Sequence, residues 1–171
     1  MIGEPGAGKS SMLFYLCNQW AHAGYFTVVI APADTVHSGI PDGCLEALDL
    51  EDALAMAGDT SPLLIGYDEI ALEIENGKPS IELRAVGRYR RHLRANLFFT
   101  TQRLHDLPPA IRDLDIQWRF LRMSDRTSWE YKWIERSFPH VASELPGLES
   151  YWWDGPSDPG PILGTHYVIG R

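Results

Sequence analysis

The chain has 171 residues, 44% of them hydrophobic and 22% charged, a globular mix of a size that one hydrophobic core can organise. Its formal charge of -8 excludes a protein that coats nucleic acid with its whole surface, because such affinity comes from neutralising several phosphates at once. No apolar run approaches the roughly 18 residues that span a bilayer, so no transmembrane segment is expected. Cys17 and Cys44 have neither metal nor redox spacing, which points to reduced cytosolic thiols packed as small apolar residues.

The first element is a phosphate-binding loop. Gly3-Glu4-Pro5-Gly6-Ala7-Gly8-Lys9-Ser10 is a complete G-x-x-x-x-G-K-[ST] string, in which glycines let consecutive backbone N–H groups turn toward nucleotide phosphates. Lys9 would reach the β- and γ-phosphates and the Ser10 hydroxyl would ligate Mg²⁺, with Ser11 completing the nucleotide contacts. The expected cofactors are therefore ATP and Mg²⁺. Such a loop is normally fed by a buried strand, and only Met1 and Ile2 precede it. The expectation is a single domain, residues 1–171, whose N-terminal strand is largely missing and whose natural start lies further upstream.

Beyond the loop, short apolar runs alternate with helical patterns, the signature of βα units and a mostly parallel sheet. Lys9 to Ala23 reads as a helix with Met12, Leu13, Leu16 and Trp20 inward, stopped near Gly24. Phe26 to Ala31 is a buried strand, Pro32 to Gly43 a loop without period, and Leu45 to Ala57 an acidic amphipathic helix.

Leu63 to Tyr67 is the next strand, and it ends in Asp68-Glu69. Downstream of a phosphate loop this is the Walker B arrangement: Asp68 holds the Mg²⁺ shell, and Glu69 can polarise the attacking water. Successive strand residues point to opposite sides, so the two acids can serve different partners. Asn76 to Ser80 is turn-like, and Ile81 to Arg94 is helical despite Gly87. That helix carries Arg84, Arg88, Arg90, Arg91 and Arg94 in a chain with only three lysines; they form a local basic face that nucleic acid could meet, or a solvated helix face.

Leu97 to Thr101 is a further buried strand leading into Gln102. At the C-terminal end of a strand, Gln102 could hydrogen-bond the γ-phosphate or the attacking water and report hydrolysis; the alternative is a polar strand end without a role. Pro108 to Leu114 fits a short helix with proline in its first turn. Ile116 to Met123 is strand-like, Thr127 to Phe138 helical, Asp154 to Gly164 a Pro/Gly-rich surface connection, and Tyr167 to Ile169 a last edge strand. The histidines show no metal-ligand spacing, and Trp118, Trp129 and Trp133 are read as packing residues; the Tyr151-Trp152-Trp153 cluster could sit at a subunit interface.

These segments resemble the FtsK-HerA superfamily of P-loop DNA-pumping ATPases, and within it the genome-packaging ATPases of tailless, membrane-containing double-stranded DNA viruses. The likeness rests on Gly3 to Ser10, Leu63 to Glu69, and Gly87-Arg88-Tyr89-Arg90-Arg91-His92 leading to Thr100-Thr101-Gln102-Arg103. Leu107-Pro108-Pro109-Ala110-Ile111-Arg112 and Phe120-Leu121-Arg122-Met123-Ser124-Asp125 continue it. The resemblance implies an α/β fold with sheet order 5-1-4-3-2, the phosphate-loop strand in the middle. It also implies a homo-oligomeric ring, a hexamer by analogy, in which Arg91 is the trans-acting arginine finger, with Arg88 the next candidate. Double-stranded DNA is the implied substrate, a packaging-vertex or membrane protein a further partner, and the host cytoplasm or the virion the place of work. Two other readings compete: an assembly NTPase like the Zot-type proteins of filamentous phages, and a nucleotide-dependent switch or adaptor with little turnover. The pairing of Glu69 with Gln102 argues against the switch, since a pure binder has less need of a residue aimed at water.

Overall fold

The computed structural model describes residues 1–32, 39–60, 62–93, 95–112, 117–152, 155, 160, 161 and 167–169; at 88–93, 106, 110, 112, 167 and 169 the description covers the backbone alone. The chain enters α1 (Lys9–His22), then β1 (Phe26–Ile30), β2 (Cys44–Glu46), α2 (Leu50–Ala57) and β3 (Leu63–Tyr67). A short hairpin, β4 (Ile74–Glu75) and β5 (Lys78–Pro79), leads into α3 (Ile81–Leu93) and β6 (Ala95–Phe99). There follow α4 (Pro109–Arg112), β7 (Trp118–Phe120), α5 (Trp129–Ser137), α6 (Pro139–Glu144) and β8 (Tyr167–Ile169).

Parallel pairing runs β2-β1-β3-β6. Ile2 extends it, bridging in parallel to Thr101 on one side and Phe120 on the other. The strands expected from sequence therefore lie in the anticipated order, β7, Ile2, β6, β3, β1, with β2 added at one edge and β8 antiparallel to β7 at the other. Two residues hold the central position. The Met1 nitrogen donates to the Phe99 carbonyl at 2.6 Å and Thr101 N–H to the Met1 carbonyl at 3.0 Å. On the other side, Ile2 N–H reaches the Arg119 carbonyl at 2.9 Å and Leu121 N–H the Ile2 carbonyl at 2.8 Å.

The two-residue period of a strand sorts the core into two faces. Val28, Ile30, Leu63, Ile65, Tyr67 and Phe120 pack on one face with Leu50 and Ala53 of α2, Leu83 and Val86 of α3, and Tyr131 and Ile134 of α5. Val29, Leu64 and Leu121 face the other way, against Met12, Leu13 and Cys17 of α1. Burying side chains of this size is worth about 1.5–3 kcal/mol each, and both faces are covered, as a parallel sheet requires. Gly66 in β3 lets α1 pack closely: a Cβ there would lie 2.4 Å from the Cys17 sulfur. Cys17 is free and buried, and burial pushes its thiol pKa well up; burial also raises the half-buried Cys44, to about 11.

Several elements differ from the sequence reading. Residues 44–46 form an edge strand, and the helix expected from Leu45 begins at Leu50. Asp49 caps it, accepting from Asp52 N–H at 2.8 Å, while the open edge of β1 captures the residues before the cap, tertiary pairing overriding helix propensity. The strand expected over 97–101 is regular over 95–99, and Thr101 continues the pairing as an isolated bridge to Ile2. The Asn76-Gly77 turn, both residues at positive φ, closes a two-residue hairpin. Finally, α6 was not anticipated; Pro139 occupies its first turn. Trp118 and Trp133 pack together at 5.8 Å between ring centroids, as expected of core residues. Among the described residues, no helix is long and apolar enough to cross a membrane.

Candidate phosphate-binding active site

The phosphate loop leaves the sheet centre at Ile2 and returns into α1. Gly6 and Gly8 take left-handed backbones, φ 74° and 88°, which a side chain would resist. At Gly8 the space is also filled, because the Tyr151 carbonyl oxygen lies 1.9 Å from where a Cβ would stand. Gly3 is packed too, its missing Cβ lying 2.9 Å from that of Leu121. Pro5 and Gly6 are exposed at the tip, Ala7 is buried beneath it, and Ser10 and Ser11 begin α1 half-buried. The first N–H groups of α1 have no partner within the helix and carry its positive dipole end, a ready anion site.

Lys9 is only 8% exposed, and its Nζ donates to the Gly3 and Glu4 carbonyls, each at 3.0 Å. The ammonium thus sits folded across the loop it would neutralise. Burial lowers its pKa, opposed by the Glu69, Asp68 and Glu4 carboxylates. Glu4 is itself clamped: Arg122 Nε donates to Oε1 at 2.7 Å, and the Ser124 N–H and hydroxyl to Oε2 at 2.8 and 2.7 Å. Partial burial pushes its carboxyl up, but the Ser124 and Arg122 contacts outweigh this and hold it below the usual range. The sequence reading placed Glu4 in the loop without finding these partners, since residues about 120 apart in a chain share no local signal.

Asp68 and Glu69 emerge from β3 beside this loop. Asp68 is buried, and the Ser10 hydroxyl donates to its Oδ2 at 2.7 Å. The Thr100 hydroxyl donates to Oδ1 at 2.6 Å and accepts Glu69 N–H at 2.8 Å. Glu69 adopts a left-handed backbone, φ 62° and ψ 68°, an arrangement that costs a non-glycine residue roughly 1–2 kcal/mol. Thr101 and the Gln102 main chain, just past β6, act electrostatically on its carboxylate. Burial raises the Glu69 pKa, with Thr101 and Lys9 pulling it back and Asp68 adding to the rise.

The structure therefore brings together Lys9, Ser10, Asp68 and Glu69, and it sets Gln102 next to them as an exposed residue whose main chain meets Glu69. Arg91 and Arg88 lie on α3, and their side chains, with those of Arg90 and Arg94, fall outside the described residues. Arg84 is exposed, its Nε donating to the Ser80 carbonyl at 3.4 Å. Trp152 is 65% exposed beside the buried Tyr151, and Trp153 falls outside the described residues.

The donor set suits Mg²⁺. A serine hydroxyl and a buried carboxylate converge, both hard oxygen ligands, and Mg²⁺ characteristically takes few protein ligands and completes its shell with water and phosphate. Because the Ser10 proton is given to Asp68, the oxygen keeps a lone pair for a cation.

A mostly parallel sheet flanked by helices, with a phosphate loop rising from its centre and an acid pair on a neighbouring strand, defines the P-loop NTPase fold. No family model and no curated protein sequence matches the chain. Solved structures do. B204, the DNA-packaging ATPase from Sulfolobus turreted icosahedral virus, aligns at TM-score 0.64 and 16% identity over 88% of this chain and 86% of its own. The genome packaging NTPase B204 from Sulfolobus turreted icosahedral virus 2, in complex with AMPPCP, gives 0.68 and 14% over 88% and 86%. Its complex with ATP-gammaS gives 0.65 and 14% over 98% and 93%. At these identities the likeness is one of fold, and it spans nearly the whole chain.

Proposed function

We propose that the protein is an ATP-hydrolysing motor that moves double-stranded DNA, of the viral genome-packaging kind. The observation that carries the hydrolytic part is the Ser10 hydroxyl on Asp68 at 2.7 Å, beside the buried Lys9 and the raised-pKa Glu69. The fold shared with packaging NTPases solved with ATP analogues supports it.

In this reading the backbone from Gly3 to Ser11 cradles the triphosphate, and Lys9 unfolds from the Gly3 and Glu4 carbonyls onto the β- and γ-phosphates. Ser10 and Asp68 would hold Mg²⁺, which would supply positive charge against the triphosphate. Glu69 accepts a proton from the attacking water; a carboxylate whose pKa is raised by burial is the better base for it. Gln102, just past the end of β6, contacts the γ-phosphate or that water. Arg91 of a neighbouring subunit in a ring, a hexamer by analogy, steadies the charge that spreads over the γ-phosphoryl oxygens. Such a ring would meet a packaging-vertex or membrane protein, in the host cytoplasm or on the virion.

The test is ATP turnover with and without double-stranded DNA. Wild type should hydrolyse Mg-ATP and accelerate with DNA; Glu69→Gln should bind nucleotide but lose about 10²–10⁴ in rate. Arg91→Ala should keep its assembly and lose roughly 10³-fold or more. Binding without turnover in wild type would leave the switch reading, and turnover indifferent to DNA would remove the motor.

A further inference from the structure

The two acids are not held independently. One hydroxyl, that of Thr100, gives its proton to Asp68 Oδ1 at 2.6 Å and takes the Glu69 N–H at 2.8 Å. Around it the Thr100 main chain repeats the grip: its N–H donates to the Tyr67 carbonyl at 3.0 Å and its carbonyl accepts Ile70 N–H at 2.9 Å. Thr100 thus brackets the whole Tyr67–Ile70 turn from the adjacent strand. The main-chain bonds would survive any side chain, but the hydroxyl bonds are specific to threonine or serine. Thr100 and Asp68 are 1% and 3% exposed, so water has little access to replace the hydroxyl if it is lost. The bracketed turn includes Glu69 in its left-handed backbone, a conformation that persists only where the surroundings over-determine it. A β-branched side chain, stiff at χ1, suits a hydroxyl that must face two partners in one orientation.

We propose that Thr100 is a positioning residue that sets the Mg²⁺-holding carboxylate and the water-activating glutamate in register through a single hydroxyl. This rests on the reading of Asp68 and Glu69 given above. Removing the hydroxyl frees Asp68 Oδ1 and Glu69 N–H together, so cation holding and the chemical step weaken together. The phosphate cradle, which Thr100 does not touch, keeps its grip on the nucleotide.

The experiment compares full-length wild type, Thr100→Val and Thr100→Ser. AMPPCP binding is measured in EDTA and across a Mg²⁺ titration, and kcat and KM for ATP are measured at saturating Mg²⁺. Thr100→Val should bind AMPPCP in EDTA like wild type. It should need about 10–100-fold more Mg²⁺ for half-saturation and lose a similar factor in kcat, the effect typical of residues that orient a metal ligand, with KM little changed. Thr100→Ser should recover most of both losses. Wild-type Mg²⁺ half-saturation and kcat in Thr100→Val would overturn the proposal, and so would a Thr100→Ser protein as impaired as the valine variant. Should wild type fail to turn over ATP while Thr100→Val still weakens Mg²⁺-dependent AMPPCP binding, the hydrolysis reading falls and the hold of Thr100 on Asp68 stands.

Discussion

In β3 every residue from Leu63 to Tyr67 is buried, whereas in β2, on the far side of β1, Leu45 and Glu46 face solvent. Both strands are parallel members of one sheet. The central strand is paired on both edges and covered on both faces, and from its end project the buried Asp68 and the strained Glu69. Among the described residues the edge strand is paired on one side only, and it leads into the capped turn of α2. The contrast teaches where a fold can afford awkward geometry. A buried carboxylate and a left-handed glutamate persist where neighbours on all sides fix the backbone, and an edge with open hydrogen bonds would relax around them.

The sharpest way to break that comparison is to disturb the packing of β3 without touching a polar group. Gly66→Ala puts a methyl 2.4 Å from the Cys17 sulfur, with Leu13 side-chain atoms at 3.6 and 3.7 Å. The helix or the strand must shift, and urea denaturation should show a loss of about 2–3 kcal/mol, the range for over-packing a close-fitted core. Adding Cys17→Ala removes the sulfur and should recover a good part of the loss, making the pair non-additive. Equal losses with and without Cys17 would mean that α1 does not set the depth of β3.

A smaller effect of opposite sign is expected at Glu69. Burial raises its folded pKa above the unfolded value, so the folded state binds the proton more tightly, and stability falls as pH rises from the ordinary carboxyl range through the folded pKa. Above that window the ionised side chain is a net cost to the fold. Glu69→Gln keeps the size and an acceptor oxygen of the side chain but carries no charge. It should therefore be more stable than wild type at neutral pH, by about 1 kcal/mol, with the advantage fading on acidification below the window. Unfolding curves at neutral and mildly acidic pH check this; an advantage independent of pH would place its origin elsewhere than in the charge.

What the sequence disclosed follows the same division. The phosphate loop, the acid pair and the Thr-Gln strand end are contiguous strings whose chemistry is carried by residue type and spacing, and the strand order came with the family likeness those strings define. Contacts between distant segments had no such signal: Arg122 and Ser124 on Glu4, Tyr151 against Gly8, and the joint hold of Thr100 on Asp68 and Glu69 exist only once the sheet is assembled. Thr100 itself is in view within Thr100-Thr101-Gln102-Arg103, and its role turns on the direction of one hydroxyl. At the edge the difficulty was different. Leu45-Glu46-Ala47 has good helix formers, and nothing local says that an unpaired β1 edge will claim them as strand first.

The smallest effect should come from that edge. Leu48 follows β2 and precedes the Asp49 cap of α2; its side chain is 88% exposed, the most exposed large apolar residue among those described. In a hydrophobic staple a residue at this place would pack on the first turn of the helix, but at this exposure it does not. Its structural part is played by the main chain, whose N–H donates to Asp52 Oδ2 at 3.0 Å while Asp52 N–H returns to Asp49 Oδ1 at 2.8 Å. Leu48→Ser leaves both bonds in place and removes a side chain with little to lose, so its stability should stay within about 0.5 kcal/mol of wild type. Asp49→Ala, one residue on, deletes the cap and should cost about 1 kcal/mol. If urea denaturation instead finds Leu48→Ser the costlier of the two, the edge is held by its side chains as the centre is, and the division between a tightly determined centre and a permissive edge fails.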